Sequence, residues 1–227
     1  MLGIIGAMDS EVNELKECMK NPQIENISGI DFYLGEIENK KIVLAKSGVG
    51  KVFAAVCAEI MILKYKPDSI INIGIAGSLI DNLKIGDVAI AESVVQYDID
   101  TTEVGDLPGL ISGINIVNIN CDKEIEKKLE QCAKKLNLNY ETGVIATGDR
   151  FIKKNVDKEM IKKEFKGICS EMEGGSIGQV CYINGVKFCV VRVISDLADE
   201  NANVDYTESK NKASSISIGL IKEYIAM

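Results

Sequence analysis

Short apolar runs rich in β-branched residues alternate with longer amphipathic runs along the whole of this chain, and few architectures accept that rhythm. The short runs 2–6, 41–47, 69–75, 87–97, 143–147, 168–172 and 187–195 read as strands. The longer ones, 9–19, 51–65, 123–136, 157–165, 174–184 and 207–224, carry the 3–4 residue spacing of helices. A helix after nearly every strand requires a mostly buried sheet covered on both faces. The expected fold is therefore a single-domain three-layer α/β/α structure with a central mixed, twisted sheet. At 227 residues the chain suffices for one such core, and no composition shift marks a boundary inside 1–227.

Two other segments stand out. Residues 28–41 read as a hairpin whose turn carries Glu38, Asn39 and Lys40. From 98 to 113 the apolar anchors thin out into Asp, Thr, Gly, Pro and Ser, a loop long enough to have a role, and a second loop, 199–206, precedes the last helix. Both loops leave strand carboxyl ends, where open α/β sheets bind ligands.

Charge narrows the function. Asp and Glu outnumber Lys and Arg 34 to 26, a formal net charge of -8, so neither nucleic acid nor an anionic membrane is an expected partner. A small neutral or zwitterionic ligand fits better. With no histidine, proton transfer falls to carboxylates, and with only Arg150 and Arg192 the bidentate grip on phosphate is scarce. The seven cysteines form no Cys-x-x-Cys pair and read as small core residues of a reducing cytosol, neither disulfides nor zinc ligands. The apolar start, 2–8, lacks a basic flank and meets Asp9 and Glu11 at once, and no run reaches the ~20 apolar residues of a membrane span; a cytoplasmic protein is expected.

Three carboxylates each follow or close a strand: Glu11 in IIGAMDSEV, Glu173 in SEMEGG and Asp196 in VRVISDLAD. SGVGK (47–51) and NIGIAGSL (72–79) are glycine-rich strand ends, together a candidate ligand floor that includes Val49 and Gly77. SGVGK is no phosphate loop, because Ala45 and Val52 stand where glycine and Ser/Thr are needed, and no dinucleotide fingerprint, because Phe53 replaces the third glycine. In SEMEGG, Glu171 or Glu173 is either a cap favoured by the helix dipole or, for Glu173, an acceptor for two sugar hydroxyls; Met172 is either core or a flat surface for a sugar. Arg192 and Asp196 either form a salt bridge or, since alternation sends 192, 194 and 196 to one face, share a cavity. A carboxylic acid in such a partly dry site keeps its proton near neutral pH.

Taken in order, IIGAMDSEV, SGVGK, NIGIAG, TGDRFI, SEMEG and VVRVISD resemble the purine nucleoside phosphorylase superfamily, and within it the methylthioadenosine/S-adenosylhomocysteine nucleosidase branch. The resemblance runs from Met1 to the final helix. It implies hydrolysis of the N-glycosidic bond of those two nucleosides, with 5′-deoxyadenosine as a further candidate substrate, and release of adenine. Asp196, held by Ser195, would protonate N7 of adenine, and Glu11 would activate the water that attacks the anomeric carbon. Glu173 would take the 2′- and 3′-hydroxyls and Met172 the sugar face; Phe151 would stack on adenine and the Ile152 backbone would read its edge. Arg192 would help to position Glu11 or the water, and Tyr206 would close over the 5′-substituent. No metal or organic cofactor is implied, and a homodimer is, with the 98–109 loop bordering the partner's 5′ pocket. Three residues or segments depart from the family pattern: Ile75 for serine, Tyr97 for histidine, and a 98–109 loop shortened and stripped of its aromatic portion.

Two other functions share many of these residues. A phosphorylase would transfer the ribosyl group to phosphate, but Glu11 in the opening loop repels phosphate and arginine is scarce. A non-catalytic nucleoside-binding protein needs no acid and base together. Hydrolysis is the favoured reading.

Overall fold

A computed structural model describes all residues, 1–227. Ten strands form one mixed sheet: β1 (Leu2–Gly6), β2 (Lys20–Ile27), β3 (Ile30–Ile37), β4 (Lys40–Lys46), β5 (Ser69–Ser78), β6 (Val88–Gln96), β7 (Ile119–Asn120), β8 (Tyr140–Thr147), β9 (Gly167–Glu171) and β10 (Lys187–Asp196). The helices are α1 (Asp9–Cys18), α2 (Lys51–Tyr65), α3 (Lys123–Lys135), α4 (Asn155–Phe165), α5 (Gly174–Asn184) and α6 (Ala202–Ala226). Helices α1, α3 and α6 pack together on one side of the sheet and α2 against α5 on the other, which is the three-layer arrangement expected.

Local chemistry explains the boundaries. Helix α2 buries Ala54, Cys57, Ala58, Met61 and Ile62, one stripe at 3–4 residue spacing, and stops where Lys66 turns left-handed ahead of Pro67. Asp122 caps α3 by accepting from the N–H groups of Glu124 and Ile125. The hairpin between β3 and β4 turns on Glu38 and Asn39, both at positive φ, the geometry that matches strand twist in two-residue loops.

The structure differs from the sequence expectation at several places, among them the two-residue strand β7, which pairs with β6 and is too short to show a pattern. Strand β2 is an edge strand with nearly every side chain in solvent and Pro22 within it, so it carries no apolar alternation. Helix α6 begins at Ala202, five residues before the expected Thr207, because Asp199 turns the chain by accepting from the Asn201 and Ala202 N–H groups; Tyr206 therefore stands on a helix and not in a loop. In the 98–113 segment a short 3₁₀ turn (Thr102–Val104) forms, with Asp100 accepting from Thr102.

The topology around β5 creates the site. Part of the sheet closes on itself, because β10 pairs with both β5 and β6 while β9 joins β8 to β5. Strand β1 pairs with β5 only from Ser69 to Asn72, and β9 only at Gly77 and Ser78. Between them, residues 73–76 of β5 have no strand on that side, and the splay opens a cleft. A core of 50 buried residues lies beneath the sheet and helices, while a separate cluster of 8, including Tyr97, Ile152, Phe165 and Ala198, sits under the loop after β8.

Candidate active site

The Ile75 N–H, left without a sheet partner by that splay, donates to Glu11 Oε1 at 3.2 Å. Glu11 Oε2 accepts from the N–H groups of Ala7 at 2.7 Å and Met8 at 3.0 Å, at the turn from β1 into α1. These donors fix a carboxylate that is only 3% exposed. Burial still pushes its proton affinity above the ordinary 4.5, against the lowering effects of Arg192 and the three N–H donors.

Asp196 closes β10. A bulge there, with Ile194 opposite Ala76 but Asp196 opposite Gly77, breaks the alternation along the strand. The consequence corrects the expected common face: Asp196 and Ser195 both line the cleft, whereas Arg192 does not. Asp196 Oδ2 accepts from Ser195 Oγ at 2.9 Å and Oδ1 from the Ala198 N–H at 3.0 Å. Burial raises the Asp196 carboxyl above its ordinary 3.8 against both hydrogen bonds, helped by the negative charges of Asp205 and Asp199.

Glycines in NIGIAG make room for these acids. A Cβ at Gly74 would stand 2.8 Å from Glu11 Oε1, and one at Gly77 would stand 2.7 Å from Asp196 Oδ1. Gly74 and Gly77 are three residues, roughly 10 Å, apart along β5, so the two carboxylates meet the strand at separate points. That leaves space for a sugar ring and a water between an acid and a base.

The two glutamates of SEMEGG divide the roles that the sequence left open. Glu171 accepts from the N–H groups of Glu173 and Gly174 and from Thr147, and pairs with Arg192, so it caps α5. The Glu173 side chain is thereby free of capping, and its carboxylate accepts one hydrogen bond, from the Gly50 N–H at 2.9 Å. Its carboxyl is pushed up to about 8, first by burial and then by the charge of Glu171, with Arg192 and Gly50 opposing. Arg192 itself is 1% exposed and lies behind the carboxylates, donating to Asn72 and Glu171. Arg192, expected to help position Glu11 or the water, thus acts from beneath the cleft: it pairs with Glu171, comes within 3.8 Å of Glu173, and reaches Glu11 through its field.

The remaining expected residues converge. Val49, Gly77, Phe151, Ile152, Met172, Glu173, Ser195 and Tyr206 line one cleft with Glu11 and Asp196. Phe151, 44% exposed, meets Tyr206 edge to face at 5.6 Å between ring centroids, so two aromatic rings flank the opening. The Ile152 side chain is buried in the smaller core cluster, while its backbone N–H and C=O take no hydrogen bond within the chain and are available to a ligand. Ile75 lines the cleft with its side chain, and the Tyr97 hydroxyl is buried without a partner. Sequence reading missed Met8 and Ala198 as lining residues; Met8 lies inside IIGAMDSEV, where its Sδ accepts from the Tyr206 hydroxyl at 3.4 Å. No cluster of His, Cys, Asp and Glu has a metal-holding arrangement, and no helix is long and apolar enough to cross a membrane.

Comparison with known proteins gives a consistent picture. The sequence model of the phosphorylase superfamily matches residues 1–226. A 5′-methylthioadenosine/S-adenosylhomocysteine nucleosidase of Oceanobacillus iheyensis is 36% identical over 228 residues, covering 98% of this chain and 99% of that protein. The crystal structure of the Neisseria meningitidis nucleosidase of the same name, in complex with methylthio-immucillin-A, superposes with a TM-score of 0.96 at 32% identity, covering 99% of this chain and 98% of that one. Futalosine hydrolase of Helicobacter pylori superposes with a TM-score of 0.95 at 33% identity, covering 99% and 96%.

Proposed function

The chain belongs to the phosphorylase superfamily, in its methylthioadenosine/S-adenosylhomocysteine nucleosidase branch, and from that premise we propose how its cleft performs the hydrolysis. The enzyme cleaves the N-glycosidic bond of 5′-methylthioadenosine and S-adenosylhomocysteine and releases adenine. One observation carries the mechanism: two buried carboxylates, each with a raised proton affinity, stand at separate points of one cleft with space for a sugar between them.

Asp196 is the acid. Burial raises its proton affinity, the direction an acid needs, and transfer of its proton to a ring nitrogen turns adenine into a neutral leaving group. Glu11 is the base; it takes a proton from the attacking water and stabilises the ribosyl cation. Glu173 receives the 2′- and 3′-hydroxyls. In the empty site it keeps its proton up to about 8, and a developing cation beside it favours its ionised form. Phe151 stacks on the base, the Ile152 backbone reads its edge, Met172 lies on the sugar, and Tyr206 with Met8 borders the 5′-substituent. Arg192 acts through Glu171 and Asn72, holding the floor on which Glu173 stands.

We further propose a homodimer. Val52, Phe53 and Val56 of α2 are exposed apolar side chains, as are Val104 and Leu107 of the shortened loop, which Lys51 ties to α2 through Asp98. No residue of 98–109 lines the chain's own cleft, consistent with that loop serving a partner's. Light scattering at assay concentrations reads the state; a fully active monomer contradicts the shared pocket.

Assaying methylthioadenosine with and without phosphate tests the reaction. Equal rates, with adenine and the free sugar as products, are expected. A requirement for phosphate, with a sugar 1-phosphate product, contradicts hydrolysis.

A further inference from the structure

Three segments far apart in the sequence meet beside the cleft through polar contacts that the reaction itself does not use. Asp98, just after β6, accepts from Lys51 Nζ at 2.6 Å and from the Asp149 N–H at 3.0 Å. Asp149 accepts in turn from the Lys51 N–H at 2.8 Å. This last contact caps α2 from outside its own sequence, because Gly50 occupies the cap position and has no side chain to do so. Gly50 is required there twice over: its φ is +101°, and a Cβ would stand 3.1 Å from Asp149 Oδ1.

Each end of this bracket leads into the cleft. Asp149 is followed directly by Arg150, Phe151 and Ile152, which line the base side. Gly50, one residue before Lys51, donates its N–H to Glu173 on the sugar side. The Lys51–Asp98 pair is sheltered, with side chains 19% and 21% exposed, and Tyr97 packs its ring directly on Gly148. The 148–149 backbone is thereby held from both flanks.

We infer that Asp149, braced by Asp98 and Lys51, is a positioning residue that sets where Glu173 stands relative to the 150–152 segment. Without it the first turn of α2 loses its cap, the Gly50 N–H loses its fixed place, and Glu173 loses the one hydrogen bond that directs its carboxyl. Base and sugar recognition are then no longer in register. The inference rests on Glu173 as the residue that takes the sugar hydroxyls.

A double-mutant cycle tests it, with a carbon-linked, non-hydrolysable adenine nucleoside analogue as the probe and its dissociation constant as the readout. Asp149→Ala is expected to weaken binding on the order of tenfold in the wild-type background and by less than about twofold in a Glu173→Gln background. Asp149→Asn, which keeps an acceptor oxygen for the Lys51 N–H, should return affinity to within about threefold of wild type. An equal loss in both backgrounds, with Glu173→Gln itself weakening binding, overturns the inference and leaves the Glu173 role standing. If Glu173→Gln alone changes nothing, that role fails and the inference with it. Should Asp149→Ala not fold, Asp98→Ala enters the same cycle, with the same two readings.

Discussion

The proposed mechanism gives one functional group, the carboxyl of Glu11 and of Asp196, opposite tasks. Glu11 receives three backbone N–H bonds and the field of Arg192, all favouring its charge, whereas Asp196 faces two further acids and only two donors. Burial acts against the charged form in both, but the balance differs, and so does the assignment of base and acid. Glu11→Gln preserves the shape yet removes the charge and the proton acceptor. Turnover should fall by about 10²- to 10⁴-fold. The mutant should also lose affinity for a cationic ribosyl mimic more than for a neutral substrate analogue. Equal losses for both would show that Glu11 does not sense the charge developing in the transition state. These acids stood out in the sequence because Asp196 closes an apolar run and Glu11 follows one, in the first turn of the helix after β1, beside the carboxyl ends of strands. Arg192 was misplaced for a physical reason: the bulge at Ser195 shifts the phase of β10, and no sequence pattern announces a bulge.

At the scale of elements, β5 is the organising strand. It takes β1 on one flank for its first half and β9 for its last two residues, and the gap between them admits Glu11. Gly77 belongs to this design, since a methyl there meets Asp196 Oδ1 at 2.7 Å and Ala198 Cβ at 3.1 Å. Gly77→Ala should therefore displace the acid while leaving the sheet intact. Misplacement of about 1 Å costs on the order of 10²-fold in rate. Wild-type kcat with an unchanged circular dichroism spectrum would show that Asp196 tolerates the shift. The longer buried strands and all six helices could be read from periodicity, but β2 could not, because an exposed edge strand carries no apolar alternation, nor could β7, whose two residues are too few to show any. The start of α6 was hidden for a different reason: the Asp199 turn that nucleates it lies in a polar stretch that also reads as loop.

Three buried carboxyls with raised proton affinity make the whole molecule respond to pH in an unusual direction. Each binds its proton more tightly in the folded than in the unfolded chain, so the folded state holds more protons in the window between the ordinary carboxylate range and the raised values. Stability from these groups is fully present below that window and is lost as pH rises through it, for Glu173 from 4.5 to about 8. Melting temperatures of the ligand-free enzyme at constant ionic strength should be lower at about pH 8.5 than at about pH 5.5, with the difference reduced in Glu173→Gln. A melting temperature that rises across that interval, or an unchanged difference in the mutant, contradicts the protonated empty site.

The most direct test of that mechanism is single-turnover release of adenine from methylthioadenosine by Asp196→Asn beside the wild type. Asparagine retains the shape and the hydrogen bond from the Ala198 N–H but has no acidic proton to give. The expected result is a rate lower by about 10²- to 10⁴-fold with nucleoside affinity within a few-fold of wild type. Release at the wild-type rate would contradict it, because adenine would then be leaving without an acid at Asp196.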